Sequence, residues 1–122
     1  MVAEQRVRAI RGAITVEEDS EEQITKRTQE LVAKILEANN IATGDIISVI
    51  FTATDDIRSI FPATAARKMG LDRVPLLSAR ELDIQGSLPL CIRVLMHAYT
   101  IRNQNEIKHV YLEGATALRE DL

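Results

Sequence analysis

Sulfur and aromatic chemistry are scarce in this sequence of 122 residues. The single cysteine, Cys91, excludes an internal disulfide and a zinc site built from several cysteines. Two Phe, two Tyr and no Trp leave almost nothing on which nucleic-acid bases could stack. The net charge of −3 gives no electrostatic footprint for nucleic acid or for an anionic lipid surface. The composition therefore predicts neither a nucleic-acid partner nor a membrane partner.

Long apolar segments are also missing. The longest, roughly Ile46 to Ala53, is far shorter than the ~20 residues of a membrane helix. The N-terminal residues lack the apolar core of a signal peptide. Hydrophobic residues make up 46% and charged residues 27%, as in ordinary globular proteins, and the length suits one domain. We therefore expect a cytoplasmic protein in which residues 1–122 form a single domain.

Hydrophobic periodicity predicts about five strands and two helices. A long helix begins at Ser20, which has Gln23 at the capping-box spacing, and ends near Asn39. A short helix opens with Pro62 and stops at Gly70. This order predicts an α+β domain with a mixed β-sheet, one long helix and one short helix on one side, and a subunit interface that buries the rest of the sheet. The strands are expected at 6–16, 46–52, 74–77, 91–101 and 108–112.

The motifs of covalent and metal catalysis are missing from the sequence. There is no Gly-rich phosphate loop, no His-Glu-x-x-His and no Gly-x-Ser-x-Gly. His97 and His109 fall on separate predicted strands without ligand-like spacing, which is typical of partly buried sheet histidines. Cys91 stands in an apolar strand with no histidine nearby, which is typical of a small core residue. We expect no metal site and no covalent intermediate.

Arginines in unusual settings are the strongest chemical signal. Arg11 lies on a strand face otherwise made of small residues, and Arg93 lies inside the apolar run CIRVLMHAYT. A buried guanidinium is costly unless it is paired with a carboxylate or binds an anionic ligand. An internal salt bridge from Arg93 to Glu81 and an exposed Arg11 are the alternatives to a ligand site. Tyr111 is typical of a core tyrosine with its hydroxyl at the rim.

Several separated segments resemble the monofunctional chorismate mutases of the AroH class in order and spacing. They are 10–17 (IRGAITVE), 61–63 (FPA), 74–75 (VP), 81–83 (ELD), 91–94 (CIRV) and 109–113 (HVYLE). The resemblance covers nearly the whole chain and implies an isomerase that converts chorismate to prephenate on the route to phenylalanine and tyrosine. It also implies a homotrimer with a pseudo-α/β-barrel arrangement, whose active sites lie in clefts between subunits.

The resemblance implies roles for individual residues. Arg93 would place its guanidinium beside the ether oxygen whose bond breaks. Glu81 would accept a hydrogen bond from the ring hydroxyl, and Arg11 and Tyr111 would hold a substrate carboxylate. The other substrate-binding residues would be two apolar walls, Phe61 and Leu118, and two cations near the cleft mouth, Arg67 and Arg119.

Leu77 and Ser78 are substrate-binding positions at which this sequence departs from its relatives. Relatives carry a threonine and a cysteine there, so this stretch would act through its backbone. Thr64 stands where some relatives carry a lysine, which removes one cation.

The implied reaction agrees with what the sequence lacks. A Claisen rearrangement is a one-step pericyclic reaction that needs no acid, base, nucleophile, metal or cofactor, and we expect no cofactor. Two alternatives remain. One is a trimeric protein of similar fold that binds a small anion or hydrolyses an imine, and the other is a structural trimer whose arginines are salt-bridged.

Overall fold

Five strands form one mixed sheet in the computed structural model, which describes residues 4–121 and the side chains as far as Leu118. The central strand β4 runs antiparallel to both of its neighbours, whereas the two outer strands are parallel to theirs. The predicted mixed sheet is therefore confirmed. The strands are β1 (Arg6–Thr15), β2 (Ile46–Ala53), β3 (Leu76–Arg80), β4 (Cys91–Thr100) and β5 (Val110–Leu112), in the order β3-β2-β4-β1-β5.

The long helix α1 (Glu21–Asn39) begins and ends where the sequence predicts. The hydroxyl of Ser20 accepts a hydrogen bond from the backbone N–H of Gln23 at 3.1 Å, which satisfies one of the unpaired donors of the first turn. The predicted capping box is only half formed, because the Gln23 side chain accepts from the N–H of Glu17 instead of Ser20. At the other end Asn40 takes the left-handed conformation, with φ of 53°.

The short helix α2 (Pro62–Lys68) confirms its predicted start and stop. Pro62 occupies the first turn, where its missing N–H removes no helical hydrogen bond. Gly70 has a φ of +112°, which glycine adopts without steric cost. The N–H of Leu71 then donates to the carbonyl of Ala66 at 3.1 Å and closes the helix end.

Two predicted strands have different bounds in the structure. The strand expected at 74–77 runs instead over Leu76–Arg80, and it begins after Pro75, which has no N–H to donate to a neighbouring strand. The strand expected at 108–112 begins at Val110, because the Asn39 side chain engages both backbone groups of Lys108. A C-terminal 3₁₀ helix over Glu113–Asp121 was not predicted.

The face of the sheet under α1 and α2, here the covered face, holds the main hydrophobic core. Strand residues on this face are fully buried together with apolar residues of both helices. α1 approaches β1 closely at Gly12, where an added Cβ would lie 2.7 Å from Cδ1 of Ile35 and 3.1 Å from the carbonyl oxygen of Val110. The covered-face strand residues include Ile10, Ile14, Phe51, Ile92 and Met96.

The opposite face of the sheet, here the open face, has no α-helix packed on it within the described residues. The C-terminal 3₁₀ helix covers only its end near Ala13 and Cys91. Large apolar side chains elsewhere on this face stay exposed, with Val7 at 51%, Tyr99 at 46% and Leu77 at 61%. No helix within residues 4–121 combines the length and apolar character needed to cross a bilayer.

We expect Gly12→Ala to destabilise the protein by about 1–3 kcal/mol, the usual cost of forcing extra atoms into a packed core. The added methyl would collide with Ile35 on α1 and with the backbone of β5. Gly44→Ala is the matched control, because nothing lies within 4 Å of its Cβ position. Urea denaturation of both variants measures the difference, and equal free energies of unfolding would contradict the close approach of α1.

Candidate active site

Four polar side chains of the open face line one cavity of about 260 Å³. Strand register brings them together, because Arg93 lies opposite Ala13 on one side and Thr52 on the other. Tyr111 is the neighbour of Ala13 on β5, so it lies two strands from Arg93 with only a small side chain between them. The fourth polar side chain is that of Arg11, and the cavity therefore holds two guanidinium groups.

Glu81 supplies the negative charge next to Arg93. It follows β3 directly, and its backbone N–H donates to the carbonyl of Ala53 at 2.9 Å. Its carboxylate Oε2 accepts a hydrogen bond from Oγ1 of Thr52 at 2.6 Å and lies 3.6 Å from Nε of Arg93. The salt bridge considered from the sequence therefore exists, but it is longer than a hydrogen bond.

Arg93 keeps an unused donor in spite of this ion pair. Its Nε is buried and makes no hydrogen bond to the residues that the structure describes. The side chain as a whole is 38% exposed. A buried donor without a partner is uncommon in native proteins, and a site for an acceptor from outside the chain is one explanation for it.

Arg11 is exposed and held through its backbone. Its N–H donates to Nδ1 of His109 at 2.9 Å, so His109 carries its proton on Nε2 and is neutral. Burial, and secondly the charge of Arg11, lower the pKa of His109. Both histidines are half-buried, as predicted, but sequence reasoning missed the bond from His109 to the strand of Arg11.

Leu118 joins Tyr111 on the open face. Both pack against the small cluster of Ala13, Cys91 and Ala115. Cys91 is 1% exposed, and burial raises the pKa of its thiol, so it is the small core residue that the sequence indicates. The side chain of Arg119 lies outside the described residues. Within 4–121, no three His, Cys, Asp or Glu side chains are grouped so that they could hold a metal ion.

The remaining predicted site residues lie elsewhere on the chain. Phe61 is 70% exposed, and together with Ser78 it lines a cavity of about 740 Å³ at the ends of β2 and β3. Leu77 is exposed on the open face, and Arg67 is exposed in the last turn of α2. Among the residues that the structure describes, the two cavities share only Thr52, so these residues of one chain do not form a single cavity.

The segment before Phe61 is fixed by two carboxylates. Asp19 accepts from the backbone N–H groups of Arg58 and Ser59, and the Arg58 bond is the main cause that lowers the pKa of Asp19. Asp55 accepts two hydrogen bonds from Arg80, at 2.6 and 2.7 Å, which lower the pKa of Asp55. The segment that carries Phe61 is therefore tied to β3 and to the turn before α1.

Thr52 is the site residue that sequence reasoning missed. The apolar run around it indicates only a central strand, yet the hydroxyl of Thr52 donates to Glu81 and the residue lines the cavity of Arg93. A usable signal was present, because strand parity places Thr52 on the same face as Ile50, away from the buried Phe51.

Comparisons with known proteins agree with one another. A family model described as chorismate mutase type I matches residues 7–122. The chain is 56% identical over 117 residues to the chorismate mutase AroH of Thermus thermophilus, covering 95% of this chain and 96% of that relative. It is 44% identical over 117 residues to the enzyme of the same name from Bacillus subtilis, covering 95% and 92%.

One solved structure is similar over almost the whole fold. It is a chorismate mutase from Clostridium thermocellum, which superposes with a TM-score of 0.88 at 46% sequence identity. The match covers 90% of this chain and 98% of that one.

We expect the wild-type protein to lose stability relative to His109→Asn as the pH falls below about 6.5, the ordinary pKa of histidine. The folded-state pKa of His109 is lowered, so the unfolded chain binds the proton more readily, and the stabilisation is complete only above that pH. Asparagine keeps an acceptor for Arg11 and does not titrate. Thermal unfolding of both proteins on either side of this pH tests the prediction. A stability difference that does not change with pH would contradict it.

Proposed function

Because the chain belongs to the type I chorismate mutase family and is a chorismate mutase, an isomerase of aromatic amino acid biosynthesis, we propose that Arg93 and Glu81 promote its rearrangement of chorismate to prephenate. The observation that carries this proposal is the unused Nε of Arg93, which is buried next to a carboxylate. Arg93 lines the cavity that also holds Arg11 and Tyr111.

A fixed cation next to the ether oxygen of the substrate would accelerate this reaction. As the carbon–oxygen bond stretches, negative charge grows on the ether oxygen, and a preorganised donor there stabilises the transition state more than the ground state. A millionfold acceleration corresponds to about 8 kcal/mol. One such donor contributes about 3–4 kcal/mol, by analogy with an oxyanion-hole donor. Restricting the flexible dianion to its compact conformer contributes much of the remainder.

The other residues of the proposed site orient the substrate. Glu81 accepts a hydrogen bond from the ring hydroxyl, which fixes the ring relative to Arg93. Arg11 and Tyr111 bind a carboxylate, for which the guanidinium offers a planar fork of donors. Leu118 forms an apolar wall beside Tyr111. Arg119 adds positive charge that attracts the dianion.

A homotrimer would complete this site. The open face exposes Val7, Leu77 and Tyr99, which a neighbouring subunit would bury. Phe61, Arg67 and Ser78 lie away from the Arg93 cavity on their own chain, so a neighbour would supply them across the interface, in the pseudo-α/β-barrel arrangement. The single sheet supports one domain over residues 1–122. The cytoplasmic location stays a prediction from composition.

We expect sedimentation equilibrium to give three times the 13.6 kDa of one chain at micromolar concentration. Tyr99→Asp should lower this mass, because it places a charge on the open face that the interface would have to bury. Ala33→Asp, on the exposed side of α1, is the matched control and should remain trimeric. A wild-type monomer would rule out the shared site.

We expect Arg93→Ala to lower kcat by at least ~10²–10³, the scale for one preorganised donor, with a smaller effect on KM. Arg93→Lys should recover only part of the activity, because the ammonium keeps the charge but loses the planar fork. Steady-state loss of chorismate absorbance measures both constants.

Arg11→Ala is the contrasting variant for that experiment. A carboxylate anchor acts in ground and transition states alike, so its loss should raise KM more than it lowers kcat. Near-normal kcat in a folded, trimeric Arg93→Ala protein would show that Arg93 is only a structural partner of Glu81.

A further inference from the structure

We propose that Thr52 is a positioning residue that keeps Glu81 from closing onto Arg93 and neutralising it. This inference rests on the proposed roles of Arg93 and Glu81. It assigns a role in the same reaction to one more residue, Thr52, which acts through the carboxylate of Glu81.

Strand pairing brings the Thr52 hydroxyl to both charged residues. Thr52 is the direct partner of Arg93 across β2 and β4. On its other side it pairs with Ala79, two residues before Glu81. The backbone of Glu81 is itself anchored to the residue after Thr52, since its N–H donates to the carbonyl of Ala53. The register of three strands therefore sets the distance from the hydroxyl to the carboxylate.

The distances show which partner the carboxylate prefers. Oε2 of Glu81 lies 2.6 Å from the Thr52 hydroxyl and 3.6 Å from Nε of Arg93. An ionised carboxylate only accepts hydrogen bonds, so the hydroxyl is the donor here. The short contact is in the range of a charge-assisted O–H to carboxylate bond, whereas the longer one is outside hydrogen-bond range.

A second arginine–carboxylate pair on the same chain is closed. Asp55 and Arg80 form a closed fork, with two hydrogen bonds of 2.6 and 2.7 Å. Both Nε and one terminal nitrogen of Arg80 are used up in that fork. Nε of Arg93 makes no hydrogen bond within the described residues, although its carboxylate is near. One difference at the site of Arg93 is the hydroxyl of Thr52, which donates to Oε2 of Glu81.

Closing the Arg93–Glu81 pair would weaken catalysis in two ways. The guanidinium would present a partly neutralised charge to the ether oxygen, at the atom where its field matters most. The carboxylate would also turn away from the ring hydroxyl that it is proposed to bind. Threonine suits this task because its β-branched side chain has restricted χ1 freedom in a strand.

Thr52→Val tests the role, because valine keeps the shape and removes the donor. We expect kcat to fall about ten- to a hundredfold, the scale for a hydrogen bond to a charged group, while KM changes little. Thr52→Ser restores the hydroxyl and should recover most of the lost kcat. In a crystal structure of Thr52→Val, the Arg93–Glu81 contact should shorten into hydrogen-bond range.

Thr28→Val is the matched control. Thr28 is fully buried on α1, and its hydroxyl makes no hydrogen bond within the described residues, so the same exchange removes none there. Its kcat should equal that of the wild type. If Thr52→Val does not fold, Thr52→Ala takes its place in the comparison with Thr52→Ser.

The outcomes separate this role from the proposed mechanism. Wild-type kcat in Thr52→Val, or equal losses in Thr52→Val and Thr52→Ser, would overturn the role of the hydroxyl. If Arg93→Ala loses kcat while Thr52→Val does not, the mechanism stands and only the positioning role fails. If Arg93→Ala has the kcat of the wild type, the proposed mechanism is wrong, whatever the kcat of Thr52→Val.

Discussion

A positive charge held in the central strand of the sheet is the constraint on which the rest of the site depends. The even positions of β4, Ile92, Val94 and Met96, are committed to the covered face, so Arg93 has only the open face available. There it meets the small Ala13 on one side and the hydroxyl of Thr52 on the other. A carboxylate lies near enough to pair with the guanidinium and too far away to form a hydrogen bond with its buried Nε.

The two faces of the sheet therefore have different functions. The covered face is packed so closely that an added Cβ at Gly12 would lie 2.7 Å from Cδ1 of Ile35, and the pairing of the strands sets one register for both faces. The open face depends on that register for every contact of Arg93, yet contributes little packing of its own within one chain. Because side chains alternate along each strand, the residues that stabilise the core lie on the covered face and the residues of the proposed site lie on the open face.

Local patterns were enough to predict the two helices, the parity of β1, and the unusual settings of Arg11 and Arg93. The start of β5 could not be predicted, since it depends on the distant side chain of Asn39. The contact of Thr52 with Glu81 was out of reach for the same reason. It requires the parallel register of β2 and β3, which no local periodicity contains.

The side chain of Asn39 joins the last turn of α1 to the start of β5. Its amide donates to the carbonyls of Ile35 and Lys108 at 2.9 Å and accepts from the N–H of Lys108 at 2.7 Å. β5 is only three residues long, so it has few ladder bonds of its own. Fraying of the helix end would release this strand with it, and the amide protons of both segments would exchange with solvent as one cooperative unit. Tyr111, on that strand, therefore derives part of its order from the last turn of α1.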